Sequence, residues 1–370
     1  MRKAIYASDA EEGRAIFARA PVIHVATTSE AGAPILRTFN AVVHEGWLCF
    51  HGAPAGEKME GLGRDAVISA DETVASIPSW FLDPMRACPA TTYYVSAQAR
   101  GNIEEIEDVA LKAAALDALM RKYQPEGGYT PIRGDDPLYA KAIRGLLVAG
   151  LKLDRIACKA KLGQNRRPEE RKRVLEHLWR RGTEADVRAI ALLVKRFPEI
   201  PRPSFLDVGM QCVLEEGELD EAVALLDAAY WLEGVPRDRV REALRRSHAL
   251  VGARDEEGRL VGIARAVSDG RVAWIYDVMV AERARSEGIG KKLLTLLLDH
   301  PAVRDAWEVR LVTRDAMSFY ESFGFERVAP RADRVAMTRS SFRRSTPHSP
   351  ERAREAPWAY PSPRPSPSAR

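Results

Sequence analysis

Cysteine is scarce in this chain, with four in 370 residues, none in a C-x-x-C pair and no cluster at metal-ligand spacing. That excludes a disulfide-stapled scaffold and a zinc ribbon, predicts no metal site, and fits a reducing cytoplasm. Long apolar runs are absent too: nothing approaches the ~18 residues of a membrane span. The opening residues MRKAIYASDAEEG have no apolar stretch of the kind a secretory leader needs. Net charge is missing from most of the chain. Residues 1–340 hold 50 basic and 50 acidic side chains, and the whole +4 comes from residues 341–370, with six arginines against Glu351 and Glu355. A neutral body gives no footing for a folded nucleic-acid site. The tail, with seven prolines and the ending PSPRPSPSAR, cannot bury enough apolar surface to order itself and is expected to be disordered.

Chemistry is concentrated near the C-terminus. An apolar, β-branched stretch (274–280) feeds the basic loop Arg285-Ser286-Glu287-Gly288-Ile289-Gly290, and an apolar helix begins at once. That order gathers backbone N–H groups and a positive helix end around one point, which suits a pyrophosphate held without a metal. The spacing is R-x-x-G-x-G, not the dinucleotide pattern G-x-G-x-x-G. Downstream, after a short strand at 308–312, comes Ala316-Met317-Ser318-Phe319-Tyr320-Glu321-Ser322-Phe323-Gly324-Phe325. The phenol of Tyr320 has an ordinary pKa of about 10, roughly matched to that of a thiol at about 8.5.

These two motifs resemble the acetyl-CoA loop and the A-x-x-F-Y-x-x-x-G-F signature of the GNAT acetyltransferases. The resemblance implies acetyl-CoA as cosubstrate. It places the pyrophosphate on Arg285, Ser286, Glu287, Gly288, Ile289, Gly290 and Lys291, and the pantetheine on the strand residues Val278, Met279 and Val280. Tyr320 takes the place of the general acid. Asp277, the nearest carboxylate, is a candidate to accept the amine's proton directly or through water, or a strand residue bonded to backbone. The stretch Tyr230-Trp231-Leu232-Glu233-Gly234-Val235-Pro236 looks like a wall of the acceptor cleft, or a packed aromatic cluster. Two departures stand out: Glu282 replaces a frequent proline, and Thr313-Arg314-Asp315 lacks the asparagine that often contacts the pantetheine arm.

The first two hundred residues open with short strands joined by glycine-containing turns, at 21–28, 34–43 and 47–51, then 66–71 and 91–100. Such a run predicts an antiparallel meander that closes into a small barrel. Helical patterns follow at 108–123, 137–151, 169–179 and 184–197, with a strand at 154–161. Three patches, Leu36-Arg37-Thr38-Phe39-Asn40, the segment from Cys49 to Lys58 and Ala97-Gln98-Ala99-Arg100-Gly101, resemble the FMN-binding split barrels of the pyridoxamine 5'-phosphate oxidase superfamily, near its nitroimidazole-resistance-like branch. The resemblance implies FMN, with Arg37 and Lys58 on its phosphate, the 37–40 backbone and Gln98 at the ring edge, and His51 beside the flavin. Thr38, Phe39 and Asn40 belong to the same candidate site. Haem is the rival ligand, with His24 or His51 as its only support. Barrels of this type hold flavin between two subunits, which implies a homodimer.

The expected architecture is therefore a two-domain α+β chain. A split-barrel domain (1–200) and a linker (201–206) precede a GNAT domain with a mixed sheet (207–340) and the tail (341–370). The expected function is acetyl transfer to an amine. A flavin-dependent oxidoreductase with an ancillary GNAT half, and a flavin or haem sensor governing the transferase, remain open.

Overall fold

The computed structural model describes residues 4–328. The expected tail, and residues 329–340 of the expected second domain, lie outside the described residues. The chain divides into two compact units, one holding Met1–Val174 with Arg196–Pro201, the other Leu175–Lys195 with the chain from Arg202 onward. The expected linker at 201–206 therefore contains one of the crossings between them.

In the first unit β1 (Ala7–Ser8) and helix α1 (Ala10–Arg19) precede β2 (Ile23–Thr28), β3 (Pro34–Phe39), β4 (Ala41–His44) and β5 (Trp47–Gly52). The long hairpin β6 (Asp65–Ile77) and β7 (Thr91–Asn102) follows, then β8 (Glu104–Glu105), α2 (Val109–Tyr123) and α3 (Pro137–Gly145). Next come β9 (Leu147–Lys152), β10 (Ile156–Lys161) and the start of α4 (Pro168–Arg181). The strands form two antiparallel sheets, six strands in the order β1-β10-β7-β6-β2-β3 and four in the order β4-β5-β9-β8.

Two sequence expectations change here. The stretch 34–43, expected as one strand, breaks at Asn40 and passes from the larger sheet to the smaller. The stretch 137–151, expected as helix, is helical only to Gly145, and 147–152 is a strand whose first five residues are buried. A continuous apolar run has no period, so it fits a buried strand as well as a buried helix.

The six-stranded sheet alternates. Val25, Ile68, Ala97 and Cys158 point inward under Ile16 and Phe17 of α1, both fully buried. Against the smaller sheet, α2 and α3 bury Leu116, Leu119 and Ile143 on Val42, Cys49 and Val148. Lys122 ties this layer together by donating to the carbonyls of Ala20 (2.8 Å) and Ala41 (2.7 Å).

The second unit contains the end of α4, most of α5 (Glu184–Arg196), β11 (Met210–Gln211), α6 (Leu219–Leu226) and α7 (Arg237–Arg245). Then come β12 (Ala249–Arg254), β13 (Leu260–Ser268), β14 (Val272–Val280), α8 (Ile289–Asp299), α9 (Pro301–Arg304), β15 (Glu308–Arg310) and α10 (Met317–Glu321). Its sheet runs β11-β12-β13-β14-β15, antiparallel except for the last pair. The mixed sheet of this unit and the two antiparallel sheets of the first give the two-domain α+β architecture expected. Ile263 faces α6 and α7, while its neighbour Gly262 meets Leu293 of α8, so the helices cover opposite faces. A Cβ on Gly262 would lie 2.8 Å from Leu293 Cδ1, so only glycine lets α8 approach this closely. The far end of α8 is pinned as well. Asp299 accepts from Trp179 Nε1 at 2.7 Å, and Trp179 stacks on Phe205 at 4.3 Å. Among the described residues no helix is long and apolar enough to cross a membrane.

Candidate functional site

The site begins where two strands part. β15 pairs with β14 only at Val272, Ala273 and Trp274, yet β14 continues to Val280. From Ile275 onward that edge has no strand partner among the described residues, leaving backbone donors and acceptors for an extended ligand. Val278, Met279 and Val280 lie on this stretch. The chain then turns through a short 3-10 segment, Glu282–Ala284, into the expected loop.

Ser286 (φ 71°) and Gly288 (φ 77°) both adopt the left-handed conformation, a backbone habit that curls successive N–H groups to one side. Gly288 is the N-cap of α8 and has no side chain to cap it. Lys292 is the first amide of the helix to reach back, to the Gly288 carbonyl at 3.1 Å. The N–H groups of Ser286, Glu287, Gly288, Ile289, Gly290 and Lys291 are thus free of described partners. Arg285 and Lys291 are exposed, and neither forms an ion pair among the described residues. The helix holds its position through buried Leu293, Leu294, Leu296 and Leu297, each contributing about 1.5–3 kcal/mol. Six open amides, two exposed cations without a described ion pair and the positive end of a helix thus lie together at the start of α8, where Gly290 adjoins Val280 of β14.

Asp277 sits at a β-bulge. The pairing slips between Ile263 and Arg265, and Asp277 takes a left-handed φ of 50°, unusual for a non-glycine residue. The bulge turns its carboxylate to two fixed donors: Trp231 Nε1 donates to Oδ1 at 2.7 Å, and Arg265 Nε donates to Oδ2. Their side chains retain 12% (Arg265) and 6% (Asp277) of their exposure, so this is a buried ion pair. The Arg265 guanidinium also lies 4.7 Å from the Tyr276 ring centroid. Asp277 therefore holds the cleft loop Tyr230–Leu232 against the sheet, and both its oxygens already accept hydrogen bonds. Neither Arg265 nor its link to Asp277 was anticipated. Its signal was a single arginine in the otherwise apolar, fully packed run LVGIARAV.

Tyr320 lies on α10, next to Phe319, whose ring would stand 3.7 Å from a Cβ on Gly290. That contact sets α10 beside the opening of α8. The Tyr320 ring packs edge-on to Phe325 at 5.9 Å. Burial pushes its phenol up to about 12, and nearby Tyr230 and Asp315 push the same way. Above Tyr230, the Arg314 guanidinium sits 3.7 Å from the ring centroid. The structure thus brings Asp277, Trp231, Tyr230, Arg314 and Tyr320 together through a chain of contacts, and places the α8 loop alongside.

The N-terminal candidates separate into two groups. Arg37 forms an ion pair with Glu57, and the Lys58 amine donates to the Ala55 carbonyl. The Lys58 stem crosses Gly52, where a Cβ would stand 3.1 Å from Lys58 Cε, beside His51 at the end of β5. Phe39 stacks on Phe50 at 4.5 Å, and Asn40 donates to the Pro21 carbonyl at 3.4 Å. His51 is reached by solvent, yet enough protein surrounds the ring for burial to lower its pKa, which favours the neutral imidazole.

Thr38 and Gln98 belong elsewhere. Register pairs His24 with Thr38 and with Ser69, and Ser69 with Gln98, so these four share one face of the six-stranded sheet. It is the face opposite to Val25 and its partner Arg37. There an open depression of about 330 Å³ is lined by Ser69, Asp71, Thr73, Tyr94, Ser96 and Gln98. No group of three or more potential metal ligands occurs among the described residues.

An antiparallel two-sheet unit is followed by a mixed-sheet unit whose helix α8 opens on glycine beside the unpartnered end of β14, which defines a two-domain protein. Residues 9–160 match the family model described as Pyridoxamine 5'-phosphate oxidase, and residues 219–325 match that of the Acetyltransferase (GNAT) family. The chain is a fusion of a pyridoxamine 5'-phosphate oxidase-like domain and a GNAT acetyltransferase domain.

Among solved structures, the flavocytochrome Anf3 from Azotobacter vinelandii is 23% identical, covering 42% of this chain and 69% of its own, with a TM-score of 0.37. A putative 5-nitroimidazole antibiotic resistance protein from Bacteroides thetaiotaomicron is 24% identical over 41% of this chain and 84% of its own (TM-score 0.33). A putative GNAT-family acetyltransferase from Xanthomonas campestris pv. campestris is 28% identical over 34% of this chain and 86% of its own (TM-score 0.30). No curated protein matches.

Proposed function

We propose that the C-terminal domain transfers the acetyl group of acetyl-CoA to a primary amine or similar nucleophile. The observation that carries this is the uncapped, glycine-opened start of α8 facing the unpartnered end of β14. The pyrophosphate fits the amides from Ser286 to Lys291, with Arg285 and Lys291 adding charge. The pantetheine arm runs along Val278–Val280 as an extra strand. The amine attacks the thioester carbonyl, a C–N bond forms as the C–S bond breaks, and the electron pair leaves on sulfur. The Tyr320 O–H donates a hydrogen bond to that thiolate. Titration calorimetry with CoA and acetyl-CoA tests this directly, because absence of binding to either ligand removes the basis for transfer.

The attacking amine must lose a proton. Asp277 is poorly placed to take it, since both its oxygens hold donors and Arg265 stabilises its charge. We assign it the positioning of Trp231 and Arg265, with the proton leaving to water. Asp277→Asn is expected to destabilise the domain by about 2–4 kcal/mol, because it strands the Arg265 cation. It should also lower kcat while leaving the acid limb of kcat/KM at its wild-type pH. Disappearance of that limb in the variant would restore Asp277 as the base.

For the N-terminal domain we propose FMN, which when bound supplies two-electron redox chemistry. Arg37 pairs with Glu57, the chain neighbour of Lys58, and in this reading the flavin phosphate replaces Glu57 on Arg37 and draws in Lys58. Gln98 and Thr38 lie on the face of the sheet opposite to Arg37, so one flavin meets both groups only if a second copy brings its own. That geometry supports a homodimer. Combined Arg37→Ala and Lys58→Ala substitution is expected to lower flavin affinity by about 100-fold. Visible absorption of the purified protein reads this out, and full retention of flavin would move the phosphate elsewhere. Bleaching of that absorption by NAD(P)H would mark a reductase, whereas an inert chromophore would favour the sensor.

A further inference from the structure

We infer that Arg314 selects the acceptor: the amine taken by the proposed transferase belongs to a small molecule that also carries a carboxylate, received by the Arg314 guanidinium at the mouth of the cleft. This inference rests on the transferase assignment above and narrows its substrate class. Arg314 follows β15 and is held over Tyr230, 3.7 Å from the ring centroid. A guanidinium lying on an aromatic ring keeps its in-plane N–H fork free for a planar anion. Its one charged neighbour among the described residues is Asp315, at 3.9 Å, beyond hydrogen-bond reach. The fork is therefore positioned and uncommitted.

The surroundings agree. Tyr230 packs edge-on against Trp231 at 5.0 Å, and Trp231 reaches the Asp277 bulge. The perch of Arg314 is thus continuous with the reacting end of the cleft. Within that cleft the Asp277 carboxylate is neutralised by Arg265, which leaves it unavailable to a second cation. Asp277 is thereby closed to a polyamine, whereas Arg314 offers its guanidinium to the carboxylate of an amino acid. Tyr230 and Trp231 add a flat apolar wall, so the favoured amino acids are those with large apolar side chains.

The experiment compares L-phenylalanine, L-tryptophan and L-methionine, each against its carboxamide, as acceptors for the full chain with acetyl-CoA, reading out released CoA. The acid is expected to exceed its carboxamide by about tenfold in kcat/KM, a modest factor because Arg314 is exposed. Arg314→Gln should bring the pair to within about twofold of each other, with acetyl-CoA affinity by calorimetry and thermal midpoint unchanged. Arg314→Lys should retain an intermediate preference.

Equal use of acid and carboxamide by the wild type overturns the inference, as does a preference that survives in Arg314→Gln. A loss of acetyl-CoA affinity in that variant also overturns it, since Arg314 would then serve the cosubstrate. If acetyl-CoA binds and none of the six compounds is acetylated, the acid preference fails while the transferase assignment stands. If acetyl-CoA does not bind, the transferase assignment fails first.

Discussion

Gly290→Asp should abolish CoA binding while leaving the fold as stable as before or slightly more so. Gly290 is the second residue of α8, and a Cβ there would make only ordinary contacts, 3.7 Å to Phe319 and 3.8 Å to Val280. Replacing glycine within a helix gains roughly 0.5–1 kcal/mol. A carboxylate in the first turn adds about 0.3–1 kcal/mol through the helix dipole. The same carboxylate takes up the amides that the pyrophosphate needs and repels its charge, so affinity should fall by at least ~100-fold. Gly290→Ala is the control, expected to bind within a few fold of wild type. Calorimetry with CoA and a thermal melt together separate the outcomes. Undiminished affinity in Gly290→Asp would put the diphosphate somewhere other than this helix.

The C-terminal domain was the more legible half. Its three central strands are joined by turns that carry glycine after an acidic residue (Glu257-Gly258, Asp269-Gly270), and the loop before α8 is a contiguous motif. Backbone function of this kind survives in the sequence because it depends on where glycine permits a left-handed residue. The first domain hid more. Its strand 147–152 is buried along nearly its whole length, so it shows no alternation, and the expected helix ran through it. The break at Asn40 was hidden for a related reason: apolar residues continue on both sides while the strand changes sheets. Local period reports burial on one face, and neither element has a single face.

The sites divide along the same line. The α8 loop is contiguous, so its glycine spacing shows directly in the sequence. The Asp277 network joins Trp231, Arg265 and Asp277, which are far apart in sequence, and only the bulge at Asp277 aims the carboxylate at both donors. No spacing rule reports a bulge one residue long. Likewise Arg37 and Thr38 are neighbours in sequence but point to opposite faces of the sheet, so listing them together concealed that they cannot serve one side of a ligand in one chain. Glu57 reaches Arg37 from a separate element, a pairing that no local spacing reports. In the unliganded chain it supplies the charge that Arg37 would otherwise lack.

Tyr320→Phe should lower kcat by about 10–100-fold and leave acetyl-CoA affinity within about twofold, the pattern for a donor that acts as charge develops on sulfur. The environment decides how it acts. An unperturbed phenol near 10 lies close enough to a thiol near 8.5 to pass its proton across. Burial moves Tyr320 to about 12, so full transfer to the thiolate becomes uphill, and donation of a hydrogen bond is what remains favourable. The pH profile follows in sign. Tyr320 is a neutral acid with a raised pKa, so its active, protonated form persists as pH rises and is lost only near 12. Wild-type kcat should therefore show no alkaline decline up to about pH 10, where an ordinary tyrosine would already be half ionised. Tyr320→Phe should lower that plateau without changing its shape. An alkaline limb near 9 or 10 in the wild type, absent from the variant, would show a phenol titrating at its ordinary value and handing over its proton outright.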